Sequence, residues 1–116
     1  MGSKTYINIK WNWEGLHYWK DAPIGVDFLR KPHRHIFYAE AKIPVTHNDR
    51  QLEFFMVKDA LKEETVRLFP ETDMKGISCE MIAECFIKFL ETVYGIRKGI
   101  IVSIYEDNEN GATVEQ

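Results

Sequence analysis

The chain has 116 residues, 45% of them hydrophobic and 13% aromatic, which is enough apolar material for one domain with a core. Its formal net charge is -3 and its 15 Lys and Arg residues are scattered, so neither nucleic acid nor an anionic membrane is an expected partner. No apolar run approaches the roughly 20 residues that span a bilayer, and no signal-peptide pattern is present. We therefore predict a cytosolic protein with a single domain over residues 4–116, and we interpret residues 1–3 as a candidate expression remnant.

The first half of the chain predicts two strands. Residues 5–13 are rich in β-branched and aromatic side chains, and residues 36–45 repeat this pattern. Residues 21–32 contain two prolines and a glycine and predict the loop between the strands.

The second half predicts two helices followed by two strands. Residues 54–69 have one charged face and precede Pro70, and a second helix is capped by Ser78 and ends near Tyr94. A third strand over 99–105 and a short last strand complete a ββααββ order. Such an order is typical of an α+β fold in which two helices cover one face of an antiparallel sheet.

Two histidines, His33 and His35, stand just before the second predicted strand. Alternate strand residues point to the same face, so these two imidazoles would project together. Zinc bound by three protein ligands keeps one coordination position for substrate or water. His17 is the candidate third ligand, while His47 lies in a polar turn. The alternative is that these are ordinary surface or hydrogen-bonded histidines.

The two cysteines and the tryptophans have simpler interpretations. Cys79 and Cys85 are six residues apart on one predicted helix, too far along its axis for a disulfide between them. Cys79 is interpreted as a small buried side chain, with a nucleophile of lowered pKa as the alternative. Trp11 and Trp13 are assigned to packing, and Trp19 is left open between packing and ligand stacking.

Five segments, taken in order, resemble the 6-pyruvoyl-tetrahydropterin synthase and 6-carboxytetrahydropterin synthase family, which has the tunnelling fold (T-fold). That family has a histidine after the first strand, an HGH motif, two characteristic helix starts and a Val-x-Glu-Thr-like strand end. The corresponding segments here are His17, the HRH motif at 33–35, FMVKD at 55–59, SCEM at 78–81 and IYED at 104–107. The resemblance covers nearly the whole chain.

The resemblance implies a binding site and an assembly. His17, His33 and His35 would bind zinc. Glu106 would anchor a pterin, because a carboxylate offers two acceptor oxygens to a planar pair of N–H donors. Glu80 would lie near the same pocket. Family members form trimers that stack into hexamers with the ligand pocket between subunits, so a homo-oligomer is expected.

The sequence departs from the family at its catalytic positions. Similar synthases use a cysteine shortly before the HGH motif for proton transfer, and Asp27 is the candidate replacement here. The family's aspartate–histidine pair between the helices falls in a shortened segment without histidine, where Asp73 is the candidate for part of that role. For both residues the alternative is an ordinary loop aspartate. Arg34 also replaces the central glycine of the motif.

Three functions are consistent with these residues. The first is a divergent zinc-dependent carbon–oxygen lyase acting on a pterin substrate that resembles dihydroneopterin triphosphate. The second is a non-catalytic module that binds a pterin, purine or nucleotide through Glu106. The third is another zinc-assisted reaction, such as a hydrolysis in which the open metal position activates water.

Overall fold

The computed structural model describes residues 2–116, which form one five-stranded sheet and two helices. In chain order the elements are β1 (Thr5–His17), β2 (His33–Val45), α1 (Phe54–Leu68), β3 (Asp73–Lys75), α2 (Cys79–Tyr94), β4 (Ile101–Glu106) and β5 (Asn110–Glu115). Short 3-10 turns lie at Asp27–Arg30 and Pro70–Thr72. The α+β class with two helices is confirmed.

The sheet is mixed, which corrects the prediction that it is wholly antiparallel. Its strand order is β3-β1-β2-β4-β5, and the unpredicted strand β3 runs parallel to β1. Only Leu16 and His17 of β1 pair with it. A three-residue strand has too short a pattern to be recognised from sequence, and its pairing depends on where α1 ends.

The longest pairing joins β1 to β2 in antiparallel register over thirteen residues and places His17 opposite His33. Both strands extend beyond their predicted limits at this end. Gly15 permits the extension, because a side-chain carbon there would overlap the sulfur of Met74 in β3. The hydrophobic pattern does not report such a close approach.

The core lies between the helices and one face of the sheet. Side chains on that face alternate with outward-facing residues along each strand, as the pleat requires. The ten largest fully buried side chains are Phe37, Phe86, Ile43, Leu61, Ile82, Leu90, Ile100, Ile104, Val57 and Val102. Within the described part of the chain, no helix is both long and apolar enough to cross a membrane.

Helix α2 begins and ends where its sequence predicts. The Ser78 side chain accepts a hydrogen bond from the backbone N–H of Met81, and Gly95 follows the last turn with a φ of 67°. These ends direct the first turn of α2 toward the end of the sheet that carries the three histidines. This turn borders a cavity there.

Candidate metal centre

Three histidines meet at the end of the β1–β2 pair. His17 is the last residue of β1, and His33 and His35 begin β2 on the face that packs against the helices. The centroids of the three rings lie 4.6, 5.1 and 4.9 Å apart. One nitrogen from each ring lies within 4.8 Å of the other two, so this group could hold a metal ion.

One ring nitrogen of each of the three histidines lacks a hydrogen-bond partner. Among residues 2–116, the Nε2 atoms of His17, His33 and His35 are the buried side-chain atoms without such a bond. A buried polar atom left unpaired costs on the order of 1–3 kcal/mol, so three together are not expected unless a ligand satisfies them. Three neutral imidazole nitrogens are a donor set that suits zinc.

The opposite ring nitrogens support this assignment. Nδ1 of His33 lies 2.8 Å from the Lys31 carbonyl oxygen, and Nδ1 of His35 lies 2.6 Å from a carboxylate oxygen of Asp107. Carbonyl and ionised carboxylate oxygens only accept hydrogen bonds, so Nδ1 carries the proton and donates it. Each Nε2 then presents a lone pair, which is the tautomer that a metal ligand needs.

Glu106 stands beside the three-histidine group. Its Oε2 lies 3.1 Å from Nε2 of His17, but its carboxylate is outside the set of mutually close ligand atoms. A carboxylate at this distance attracts positive charge, whether from a metal ion at the three imidazoles or from a proton on Nε2 of His17. Glu106 is therefore placed as the neighbour of any cation that the three histidines hold.

The electrostatics of His17 also suit a neutral ligand. Burial lowers the pKa of His17 below its ordinary value of 6.5, while Glu106 and a backbone hydrogen bond at Ile77 act in the opposite direction. The neighbouring His33 and His35 lower it further. A neutral imidazole at neutral pH is the form that binds a metal ion without first losing a proton.

A cavity of about 460 Å³ opens directly beside the centre. His17, His33 and Glu106 form part of its wall, and Trp19 and Glu80 border it as well. Its volume is within the range of small-molecule sites, roughly 300–1,000 Å³. The structure thus brings together two of the predicted metal ligands and both predicted substrate-binding residues, Glu106 and Glu80, in one cavity; His35 completes the metal group behind it.

Cys79 lines this cavity too, but not as a reactive thiolate. Burial, followed by the negative charges of Glu106 and Glu80, raises the pKa of the Cys79 thiol to about 12. The alternative of a nucleophile with a lowered pKa is therefore wrong for the chain as described. Both Cys79 and Cys85 are free, as predicted.

The two predicted catalytic aspartates lie elsewhere. Asp27 is exposed in the 3-10 turn before β2, and Asp73 is exposed in β3, where it accepts a hydrogen bond from the backbone N–H of Lys75. Neither is among the described residues that line the cavity. Their catalytic roles stay predictions.

Sequence reasoning missed one residue of the centre, Asp107. Its carboxylate contacts the ring of His35 and accepts a hydrogen bond from the backbone N–H of Ile36 at 3.0 Å. These two interactions, the backbone one foremost, lower the pKa of the Asp107 carboxyl below its ordinary value of 3.8. Asp107 is 72 positions from His35, so no local motif marks the contact.

Fold and site together define an α+β protein with a three-histidine candidate metal centre at one end of its sheet. Comparison with known proteins gives no match to a family model and none to a curated protein.

Proposed function

We propose that the chain is a zinc-dependent carbon–oxygen lyase that acts on the side chain of a pterin, and that its fold is a divergent T-fold. The observation that carries the proposal is the convergence of three unpartnered Nε2 atoms beside a cavity whose wall includes Glu106 and two of the three histidines, His17 and His33. The order of strands and helices is compatible with a T-fold.

Zinc is the metal that the donor set supports best. Imidazole nitrogens suit zinc, and three protein ligands keep one coordination position for substrate. When bound, zinc would polarise a hydroxyl or carbonyl oxygen of the pterin side chain and make a neighbouring C–H proton easier to remove. His17, His33 and His35 would hold it, and the Nδ1 partners of His33 and His35 fix the orientations of those two rings.

Glu106 has the position and chemistry of a ring anchor. Its two carboxylate oxygens can accept paired N–H groups from the pyrimidine edge of a pterin, which fixes orientation as well as adding affinity. The 3.1 Å distance from Glu106 to His17 would keep the anchored ring beside the metal. Trp19, 51% exposed, lines the same cavity and offers an aromatic face. Glu80 is a second polar contact.

A non-catalytic pterin-binding module is the second candidate. It is favoured by the positions of Asp27 and Asp73, which lie outside the cavity wall. In that case the metal and Glu106 would bind a ligand without a dedicated proton carrier from either aspartate.

We also propose that the chain forms a homo-oligomer, a trimer or hexamer. Two sheet edges support this proposal: β1 has no partner strand on one side from Thr5 to Gly15 within the described chain, and β5 ends the sheet on the other side. Unpaired strand edges readily accept another strand. Three consecutive large apolar side chains, Phe54, Phe55 and Met56, are also exposed. Light scattering coupled to gel filtration would test it, and a purely monomeric protein would contradict it.

The test of function begins with metal content. Elemental mass spectrometry should find about one zinc per chain in wild-type protein and in the control His47→Ala, and none in His33→Ala, because only the latter removes a ligand. His47 lies in the exposed turn after β2, which makes it a matched control.

Turnover is measured on the same proteins. Release of triphosphate from dihydroneopterin triphosphate that is lost on chelation and restored by zinc supports the lyase. Zinc content and pterin binding without turnover support the binding module instead. A wild-type protein that cannot be loaded with zinc contradicts the proposed enzyme.

A further inference from the structure

The three imidazoles of the centre differ in their hydrogen-bond partners. Backbone groups serve two of them: the Lys31 carbonyl for His33 and the backbone at Ile77 for His17. His35 has a carboxylate on its Nδ1 atom, that of Asp107, with Nδ1 and Oδ2 2.6 Å apart, whereas the Glu106 carboxylate beside His17 lies at Nε2. A hydrogen bond to a charged acceptor is shorter and stronger than one between neutral groups.

Asp107 is itself held in place by the strand it contacts. Its Oδ1 accepts a hydrogen bond from the Ile36 N–H at 3.0 Å, and its own N–H donates to the Ile36 carbonyl oxygen at 2.7 Å. These bonds continue the β2–β4 pairing just past its last pair, Phe37 and Glu106. The carboxylate is therefore aimed at His35 by backbone contacts on both sides of it.

The backbone conformation at Asp107 fits this use. Its φ of 53° lies in the left-handed region, which aspartate and asparagine tolerate better than most residues. If Asp107 served only the turn between β4 and β5, its hydrogen bonds to the backbone of Ile36 would be enough. The contact between its second carboxylate oxygen and His35 is not needed for that turn.

We propose that Asp107 is a positioning residue for the metal centre, which fixes the ring and tautomer of His35 so that its Nε2 lone pair faces the other two. The inference rests on the proposed zinc site. A carboxylate behind a histidine ligand orients the ring and increases the electron donation of the nitrogen that binds the metal. Asp107 thus links the metal to the strand that carries the pterin anchor Glu106.

The test compares Asp107→Asn with the control Glu53→Gln. Both positions hold an exposed carboxylate that accepts a backbone N–H, but only Asp107 contacts a histidine of the centre. An asparagine has one acceptor oxygen and cannot serve both Ile36 and His35 as the carboxylate does. Competition with a chromophoric chelator should show zinc binding weakened about 10- to 100-fold in Asp107→Asn and unchanged in Glu53→Gln.

Two further readouts separate positioning from general stability. Thermal unfolding of the zinc-free proteins should shift much less than the zinc affinity. Nitrogen-15 NMR of the zinc-free wild type should find His35 with its proton on Nδ1, and this measurement needs no folded variant.

The outcomes are distinct. A folded Asp107→Asn with wild-type zinc affinity, or a wild-type His35 with its proton on Nε2, overturns the role of Asp107 while the zinc site stands. A wild-type protein that binds no zinc overturns the proposed function, and the positioning role with it.

Discussion

The middle and the beginning of strand β2 have the same alternation but different environments. Phe37, Ala39 and Ala41 are buried in the apolar core, while His33 and His35 occupy the same face at the start of the strand. In the middle of β2 this face meets side chains from the helices, and at its beginning it meets a cavity bordered by the first turn of α2. The alternation of the strand determines which face a side chain occupies. Whether that face becomes apolar core or cavity wall depends on whether a helix covers it.

The two regions also differ in how they are stabilised. In the core, Trp13 stacks with Phe37 at 5.7 Å and Phe69 at 6.1 Å and meets the edge of Phe86 at 5.9 Å. Its indole N–H donates to the sulfur of Met74, so these side chains are satisfied within the chain. At the histidine end three buried nitrogens have no hydrogen-bond partner among the described residues. A ligand that binds only the folded chain would stabilise this second region.

The largest effect on stability is expected from a substitution in the core. Phe86→Ala removes a fully buried ring that contacts both Trp11 and Trp13, and should lower the free energy of unfolding by about 3–5 kcal/mol. The matched control on the same helix is Val93→Ala, since Val93 is exposed. Chemical denaturation measures both, and equal effects would contradict the described packing.

A smaller effect is expected on pterin binding, from a substitution at Glu106. Glu106→Gln replaces a charged acceptor by an amide and should weaken pterin binding by about 1.5–3 kcal/mol, the usual value of a hydrogen bond to a charged group. Zinc content should be retained because Glu106 is outside the three-histidine group. Glu109→Gln, in the exposed turn after β4, is the control. Fluorescence titration with a dihydropterin measures the difference, and unchanged affinity would remove Glu106 as the anchor.

The pH dependence sharpens the comparison further. Because the folded chain lowers the pKa of His17, the unfolded chain takes up a proton more readily below the ordinary value of 6.5. The zinc-free protein should therefore lose stability as the pH falls from about 7 to 5.5, by less than about 1.4 kcal/mol per unit of pH for this group. The lowered pKa of Asp107 acts only below 3.8, outside this window.

Variants at two histidines check the source of that pH dependence. His17→Gln should flatten the decrease in thermal stability, and His47→Gln should preserve it. An equal slope in all three proteins would mean that His17 does not titrate as its burial implies.

The smallest effect is expected at Asp27. Asp27→Asn should leave zinc and pterin binding unchanged, because this carboxylate is exposed and lies outside the cavity. Turnover by the same variant decides its predicted catalytic role: a loss of activity with intact binding would support a proton-transfer role, and retained activity would remove Asp27 from the mechanism.

The amino-acid sequence alone determined the parts of this protein that depend on neighbouring residues. The α+β class, the Ser78 cap and the common face of His33 and His35 follow from periodicity and local chemistry. Each of these features depends on residues close together in the chain, so a short stretch of sequence is enough to predict it.

Only the tertiary structure decided which distant segments meet. Strand β3 pairs with the end of β1, and Asp107 reaches His35 from 72 positions away. The Lys31 and Ile77 partners of the other two imidazoles are backbone groups, which every residue carries and no residue type reveals. The cavity likewise exists because the first turn of α2 begins beside the histidines. Such contacts depend on how whole elements pack, which no local pattern records.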